Sequence, residues 1–304
     1  MMTSRDRVWD AGRLVDLGVT LAPLRRGAGD PAHLLDAAGV FWWACGTPEG
    51  DGTLAARAVG GVVSARAWGS GAAWLLDRVP ALLGDGDDWS SLDLASQPRL
   101  REVLRLRPGL RLSATGLVMD ALVPAVLEQR VTGQDARRAW RLLLGRFGTP
   151  APGPAAELRV PPSARVLLDI ASWDWHRLGV DSRRQRAIRA AATVAARLEE
   201  CAALDPAAAL ARLRVVPGIG EWTAAETAQR ALGHPDAVSV GDYHLKDLVV
   251  HFLTGRAHGE DAEMLRLLEP WVGQRQRVVR LIELSGVGKP RFGHRLAPVD
   301  IRAI

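Results

Sequence analysis

Cysteine, lysine, tyrosine and long apolar runs are all scarce in this sequence. Its 304 residues include only two cysteines, Cys45 and Cys201, which exclude a four-cysteine iron–sulfur cluster or zinc site. A reducing cytoplasm also disfavours a disulfide between them. No apolar run is long enough to span a membrane, and the charged N-terminus, MMTSRDRVWDAGRLVD, has no apolar signal core. We therefore expect a cytoplasmic protein with no membrane partner and no iron–sulfur cluster.

What the sequence has in excess is arginine. The net charge is +5 and the pI is near 10.1, yet the only lysines are Lys246 and Lys289. Arginine suits bidentate contacts with phosphate, so the charge permits nucleic-acid binding. A GC-rich genome would also favour arginine, so the charge alone does not establish such binding.

The first part of the chain has strand composition. LVDLGVTL and GVFWWAC read as strands, and TLAARAVGGVVSARAW reads as two strands joined at Gly60-Gly61. The spacing of apolar residues in AAWLLDRVPALLG predicts a helix, and the acidic polar stretch 84–98 predicts a hinge.

From about residue 115 the apolar spacing becomes helical. Pro124 should kink one of these helices, whereas Asp181 and Asp205 are expected to cap two others. We therefore predict an α+β fold: a small N-terminal antiparallel-sheet domain with helices at 1–107, followed by an all-helical domain at 108–304.

A tight turn, VVPGIG, joins two predicted helices, the second running from Glu221 to Leu232. Gly218 and Gly220 can take left-handed backbone angles and bring their N–H groups close to an anion at a helix start. A plain tight turn explains the same glycines. Further along, Asp242 precedes a new amphipathic helix, where an acid is most often a cap.

These features together resemble the helix–hairpin–helix DNA glycosylases. The motif L-x-x-V-P-G-I-G-x-W-T-A followed by Asp242 is most similar to the alkylbase branch, the 3-methyladenine DNA glycosylase II type. ALVPAVLEQRVTGQDARRAWRLLLGRFG resembles the helix pair before the hairpin in that family. The resemblance covers 115–285 well and 12–84 moderately, and it implies the predicted sheet domain and helical glycosylase domain.

The resemblance places the catalytic aspartate at Asp242. A carboxylate can stabilise the positive charge that develops on deoxyribose as the base departs, and a helix N-terminus favours its ionised form. Glycosylases that also cleave the strand carry a lysine just before the hairpin threonine. Trp222 stands there instead, so no lyase activity is expected. Trp222 is suited to stacking or to forming a pocket wall, and a core tryptophan packed between helices is the alternative.

The resemblance also implies the residues that contact DNA. A base must be flipped out of the duplex to reach Asp242, and the family fills the gap with a side chain from the loop that matches Gln129 and Arg130 here. A phosphate-bound or solvated arginine is the alternative for Arg130. The full set of predicted DNA contacts is Gln129, Arg130, Pro217, Gly218, Ile219, Gly220, Thr223 and Arg275. A monovalent Na+ or K+ on the carbonyls of Val215 and Gly218 is a further implied feature.

The predicted base pocket departs from the family pattern. Its members are Trp222, Glu226, Tyr243, Trp271 and Gln274. Glu226 replaces an expected aromatic ring and could attract a cationic base, or could be an exposed helix residue. WVGQR, in place of W-x-P-x-R, keeps Trp271 and Arg275 but departs from the motif at Gly273 and Gln274.

The function implied is a monomeric, monofunctional DNA glycosylase that releases alkylated bases such as 3-methyladenine from damaged double-stranded DNA, without an organic cofactor. Two alternatives stay open from the residues: a glycosylase for another lesion such as uracil or hypoxanthine, and a damage-binding protein without catalysis. The basic tail 288–304 could follow the DNA backbone or pack as an ordinary terminus.

Overall fold

Five antiparallel strands form a sheet in the N-terminal part of the computed structural model, which describes residues 4–288. The strands are β1 Ser4–Asp10, β2 His33–Leu35, β3 Phe41–Thr47, β4 Gly50–Val59 and β5 Val62–Gly69. Their order in the sheet is β1-β5-β4-β3-β2. A short ladder, β6 Thr149–Pro150 with β7 Arg159–Val160, lies further along the chain. All but the first residue of the predicted basic tail lie outside the described residues.

Two of the three strand predictions for this region are confirmed. GVFWWAC forms β3, and β4 and β5 meet at a two-residue turn in which Gly60 has a positive φ of 62°. The prediction that LVDLGVTL is a strand is wrong. Its second half is the helix Leu17–Leu21, because the Asp16 side chain accepts the backbone N–H of Val19 and caps a helical turn.

Fourteen α-helices surround the sheet or follow it within residues 4–288. They are α1 Leu17–Leu21, α2 Ala72–Leu82, α3 Pro98–Arg105, α4 Val118–Leu127, α5 Gly133–Phe147, α6 Ala164–Asp169, α7 Ser172–Arg177, α8 Ser182–Thr193, α9 Ala195–Glu199, α10 Pro206–Val215, α11 Glu221–Ala231, α12 Leu245–Thr254, α13 Asp261–Leu268 and α14 Arg275–Leu284. The predicted α+β class is confirmed, as are the caps of α8 and α10 by Asp181 and Asp205.

Helix α4 forms the centre of the helical core. Its residues from Ala121 to Leu127 are all buried, and α8 and α11 pack against it. Pro124 lies inside α4, and residues from α5, α8 and α11 share the core around it. The start of α4 is held by Glu199, whose carboxylate accepts the N–H groups of Val118 and Met119. The buried α4 thus fixes the position of the loop that follows it.

Residues 89–112 do not share the core of the sheet. Trp89, Leu100 and Leu112 pack with the C-terminal helices, whereas the sheet and α2 form a separate core. The stretch 84–98, predicted to be a hinge, is instead anchored: the buried pair Arg277–Asp87 joins it to α14. The predicted domain boundary at 107/108 therefore falls within a region that packs with the C-terminal helices.

Candidate active site

The hairpin consists of α10, the turn 216–220 and α11. Gly218 has a φ of 88°, and a Cβ at this position would lie 2.7 Å from the Cβ of Ala187 on α8. A side chain at residue 218 would therefore be both strained and crowded. Gly220 has an ordinary φ of −88°, so the left-handed angle predicted for it is wrong. A Cβ at Gly220 would point into open space, which leaves the backbone accessible to a ligand.

The hairpin presents backbone groups at the surface. Pro217, Gly218 and Gly220 are exposed, and no side chain caps the first N–H groups of α11. Uncapped amides at a helix start, together with the helix dipole, are suited to an anion. Ile219 is 4 % exposed, so its predicted contact with DNA can involve its backbone but not its buried side chain.

The loop after α4 is tied directly to the hairpin by Gln129. Its side-chain amide donates to the Gly218 carbonyl (3.0 Å) and to the Thr223 hydroxyl (2.8 Å). Thr223 is 2 % exposed, so its side chain supports the hairpin, and its predicted contact with DNA can involve its backbone but not its buried side chain. Arg130 is exposed and has a φ of 53°, the one positive φ among the described non-glycine residues. The backbone therefore turns sharply where the inserted side chain was predicted.

The predicted monovalent cation involves the carbonyls of Val215 and Gly218. The amide of Gln129 already satisfies the Gly218 carbonyl, so that oxygen has a partner without an ion. The cation stays a prediction. Among residues 4–288, no group of three or more histidine, cysteine or acidic side chains is arranged to hold a metal ion.

Asp242 lies in the turn that precedes α12, and its side chain accepts three hydrogen bonds. Its Oδ1 accepts the backbone N–H groups of His244 (2.8 Å) and Leu245 (2.9 Å), and its Oδ2 accepts the indole N–H of Trp222 (3.1 Å). The carboxylate is therefore fixed on both oxygens and is still partly exposed. Asp242 thus closes the turn that leads into α12 while its second oxygen faces the hairpin helix.

Trp222 and Tyr243 both lie beside Asp242. Trp222 belongs to the first turn of α11 and is half-buried. Because its indole N–H donates to Asp242, Trp222 orients the carboxylate. Neither of the roles predicted for Trp222, stacking or core packing, included this contact. Tyr243 is 72 % exposed and packs edge-on against His244, with ring centroids 4.8 Å apart. Its ring is therefore available at the surface next to the carboxylate.

Glu226 is neither exposed nor free. Its side chain is 12 % exposed and forms an ion pair with Arg230 at 2.8 Å. The hydroxyl of Ser239 donates to its other oxygen at 2.5 Å. The alternative of an exposed helix residue is wrong. A carboxylate already paired with Arg230 also offers little net charge to a cationic base.

Three residues predicted from the WVGQR stretch have other partners. Trp271 is 6 % exposed, and its indole N–H donates to the Asp93 carbonyl, so it packs in the C-terminal core. Gln274 donates to Ser91. The guanidinium of Arg275 donates to both carboxylate oxygens of Asp236, at 2.8 and 2.5 Å. Trp271 is thus a core residue and not a pocket wall, which corrects that prediction, and Gln274 is engaged with the 84–98 stretch. Arg275 is paired with Asp236, and its contact with DNA stays a prediction.

Sequence reasoning did not detect the contacts that the N-terminal segment 22–33 makes with the site. Arg26, 7 % exposed, donates to the carboxylate of Glu128 at 3.0 Å, next to Gln129 and Arg130. Arg230 of the hairpin helix donates to the carbonyl of Pro23. These partners are 102 and 207 residues apart in the chain, so no local pattern indicates them.

A buried acidic cluster continues from this segment toward α4. Burial opposes the charge of Asp30, but His33 and the backbone amides of Arg26 and Ala32 lower its pKa to about 2. Trp140 also donates to Asp30, at 2.9 Å. Burial raises the pKa of Asp120 to about 6, and the nearby negative charge of Asp30 adds to this effect. The surroundings thus favour the charged form of Asp30 and the neutral form of Asp120.

The fold is similar to that of solved DNA glycosylases. The 3-methyladenine DNA glycosylase of Archaeoglobus fulgidus superposes with a TM-score of 0.78 at 16 % identity, over 92 % of this chain and 98 % of that one. The 8-oxoguanine glycosylase/lyase of Clostridium acetobutylicum gives 0.71 at 10 % identity, over 94 % and 99 %. A 3-methyladenine DNA glycosylase of Schizosaccharomyces pombe in complex with abasic DNA gives 0.53 at 17 % identity, over 67 % and 97 %. The resemblance inferred from the hairpin and Asp242 is confirmed at the level of the fold.

The sequence itself is similar to a narrower group. It is 34 % identical over 158 residues to the probable bifunctional transcriptional activator/DNA repair enzyme AlkA of two Mycobacterium tuberculosis strains. The match covers 50 % of this chain and 31 % of each relative, so the chain spans about a third of the length of the curated relatives it matches. No family model matches the sequence. Within residues 4–288, no helix has the length and apolar character needed to cross a membrane.

Proposed function

We propose that this protein is a DNA glycosylase that hydrolyses the N-glycosidic bond of alkylated bases, such as 3-methyladenine, in double-stranded DNA. The observation that carries the proposal is Asp242, a partly exposed carboxylate fixed by Trp222 and two backbone amides beside an open helix–hairpin–helix turn. The glycosylase fold and the sequence similarity to AlkA support the same function.

Asp242 would act on the deoxyribose of a flipped nucleotide. The electron pair of the C1′–N bond leaves with the base, and positive charge develops on the sugar. The carboxylate stabilises that charge, as carboxylates do in glycoside hydrolysis generally. Water then adds its oxygen to C1′, and the released proton passes to Asp242 or to solvent. A base that was cationic before cleavage departs as a neutral molecule, which makes alkylated bases good leaving groups.

The hairpin would hold the DNA backbone during this reaction. The exposed turn at Gly218 and Gly220 and the uncapped amides of α11 suit a phosphate group. Gln129 locks the neighbouring loop onto the same turn, and Arg130, exposed at its tip, is placed to fill the space that a flipped nucleotide leaves. One chain contains all these elements, so we propose that a monomer acts on each lesion.

We further propose that the enzyme does not cleave the DNA strand. Lyase chemistry requires an amine that forms a Schiff base with the sugar. The residue before Thr223 is Trp222, whose indole already binds Asp242, and Lys246 is the one lysine within residues 4–288. We expect abasic DNA that breaks only after treatment with heat and alkali. Strand breaks that form without this treatment, and that are trapped by borohydride, would contradict the proposal.

The replacement Asp242→Asn tests the catalytic assignment. Asn keeps an acceptor oxygen for the turn before α12 but lacks the negative charge, so base release should fall by about 100-fold or more while DNA affinity is retained. The measurement is chromatography of bases released from methylated duplex DNA, together with a panel of duplexes that contain uracil, hypoxanthine or 8-oxoguanine.

Asp205→Asn is the matched control. Asp205 accepts the N–H groups two and three residues ahead at the start of α10, as Asp242 does before α12. This control should excise bases at the wild-type rate. Normal excision by Asp242→Asn would refute the role of Asp242. Tight binding of lesions without any base release by the wild-type protein would indicate a damage-binding protein instead.

A further inference from the structure

One face of helix α11 holds the turn that carries Asp242. Trp222, Glu226 and Gln229 are spaced along α11 so that all three side chains lie on one side of the helix. Trp222 donates to Asp242 itself, Glu226 accepts from Ser239, and Gln229 donates to Ser239 and to the Ala237 carbonyl. The turn 237–242 is therefore attached to α11 at several points.

Ser239 transmits the contact with Glu226 to Asp242. Ser239 is 3 % exposed, and its backbone carbonyl accepts the N–H of Asp242 at 3.1 Å. Its hydroxyl donates to Glu226 at 2.5 Å and accepts from Gln229 at 2.9 Å. Because both the side chain and the backbone of Ser239 are engaged, a displacement of its hydroxyl would also displace Asp242.

Both carboxylate oxygens of Glu226 are engaged by other residues of the protein. One carboxylate oxygen accepts from Ser239 and the other pairs with Arg230 at 2.8 Å. Arg230 is in turn fixed by a hydrogen bond to the Pro23 carbonyl, in the N-terminal segment. Both oxygens of Glu226 thus have protein partners, as expected for a residue that orders its surroundings.

We propose that Glu226 is a positioning residue that fixes, through Ser239, the turn carrying Asp242, and that it does not select cationic bases by its charge. The catalytic consequence of this inference rests on the proposed glycosylase function. If Glu226 positions Asp242, its loss should slow base release to the same extent for every lesion. A pocket acid would instead favour cationic over neutral bases.

The test compares Glu226→Ala, Glu226→Gln, Ser239→Ala and the double variant Glu226→Ala/Ser239→Ala. Single-turnover base release is measured on one cationic lesion, 7-methylguanine, and one neutral lesion, hypoxanthine, with DNA affinity measured separately. We expect Glu226→Ala and Ser239→Ala each to slow release about 10-fold on both lesions with unchanged affinity. The double variant should be no slower than the slower single variant, because both remove the same hydrogen bond. Glu226→Gln keeps an acceptor oxygen and should recover part of the rate.

Ser90→Ala is the matched control, because Ser90 also donates its hydroxyl to a carboxylate, that of Asp88, on the surface of the 84–98 stretch. Its rate should equal that of the wild type. A loss confined to the cationic lesion in Glu226→Gln, with Ser239→Ala unaffected, would overturn the proposal in favour of a pocket acid. Additive losses in the double variant would also overturn it.

Amide hydrogen exchange of the free protein separates this inference from the proposed function. Removing the Glu226–Ser239 bond should accelerate exchange in the segment 237–245 by about 5-fold or more, whereas Ser90→Ala should not. Unchanged exchange in Ser239→Ala would show that the bond does not fix the turn. If the wild-type protein releases no base, the proposed function fails, and the exchange result alone decides whether Glu226 orders the turn.

Discussion

The hairpin segment 216–245 and the N-terminal segment 22–33 both support the candidate site, but they do so with different kinds of interaction. The hairpin segment relies on short-range backbone features: the turn at Gly218 and the amides that bind Asp242. The N-terminal segment relies on side-chain contacts with distant parts of the chain. Arg26 donates to Glu128, and Asp30 accepts a hydrogen bond from Trp140.

This difference separates two tasks. Groups that would meet DNA are held by the local backbone and stay exposed, so their removal should affect function more than folding. Groups that place one loop against another are held by buried charges, so their removal should affect folding first. The largest effects on stability are therefore expected for substitutions that remove contacts of the N-terminal segment.

The ion pair between Arg26 and Glu128 is expected to give the largest effect. In Glu128→Gln the buried guanidinium of Arg26 loses its charged partner, so the free energy of unfolding should fall by about 2–4 kcal/mol. Denaturant unfolding measures this quantity. The control is Glu102→Gln, which removes an exposed pair with Arg105 and should leave the free energy of unfolding close to that of the wild type. Equal losses in the two variants would remove the distinction between the two segments.

Substitutions of the two hairpin glycines should differ in their effect on stability but not in their effect on DNA binding. Gly218→Ala combines a positive φ with a Cβ placed 2.7 Å from Ala187, so it should destabilise the protein by about 1–3 kcal/mol. Gly220→Ala meets no neighbouring atom and should leave stability within about 1 kcal/mol of the wild type.

Both glycine variants should bind all duplexes more weakly, with a salt dependence reduced by roughly one phosphate contact. Titrations at several salt concentrations measure this change, with undamaged and lesion-bearing DNA compared side by side. Selective weakening for one lesion would contradict a phosphate-binding role. Greater instability of Gly220→Ala than of Gly218→Ala would contradict the geometry of the turn.

The same difference explains which features the sequence could predict. The turn at Gly218, the Asp205 cap and the place of Asp242 before a helix depend on neighbours a few residues away, so their residue types indicate them directly. The β4–β5 hairpin follows from Gly60-Gly61 for the same reason. These predictions agree with the structure, whereas two others that were equally local, the strand at LVDLGVTL and the left-handed angle at Gly220, do not.

Predictions about side chains that cross between elements were less successful. Trp271 and Arg275 match a family motif, yet one is packed in a core and the other is paired with Asp236. A motif specifies positions along the chain but not the partners that the fold brings to them. Glu226 shows the same limit, because its partner Ser239 lies on another element and nothing in the spacing favours a hydrogen bond over a base pocket.

The smallest predicted effect concerns pH and Asp120, which lies on α4 near Asp30 of the N-terminal segment. The carboxyl group of Asp120 has a pKa raised from 3.8 to about 6 by burial and by Asp30. The folded protein therefore binds a proton that the unfolded chain has already released, and stability falls as the pH rises from about 4 to about 6. The side chain is partly accessible, so we expect a contribution on the order of 1 kcal/mol.

Asp120→Asn cannot ionise and should lack this contribution, so its stability relative to the wild type should improve between pH 4 and pH 7. Thermal or denaturant unfolding across this range measures the change. Asp88→Asn is the control, since Asp88 is exposed and hydrogen bonds from Ser90 lower its pKa, which gives a pH dependence of the opposite sign. If Asp120→Asn and the wild type show parallel pH profiles, the buried acidic cluster does not influence stability. The contrast between the two segments would then rest on the Arg26–Glu128 pair alone.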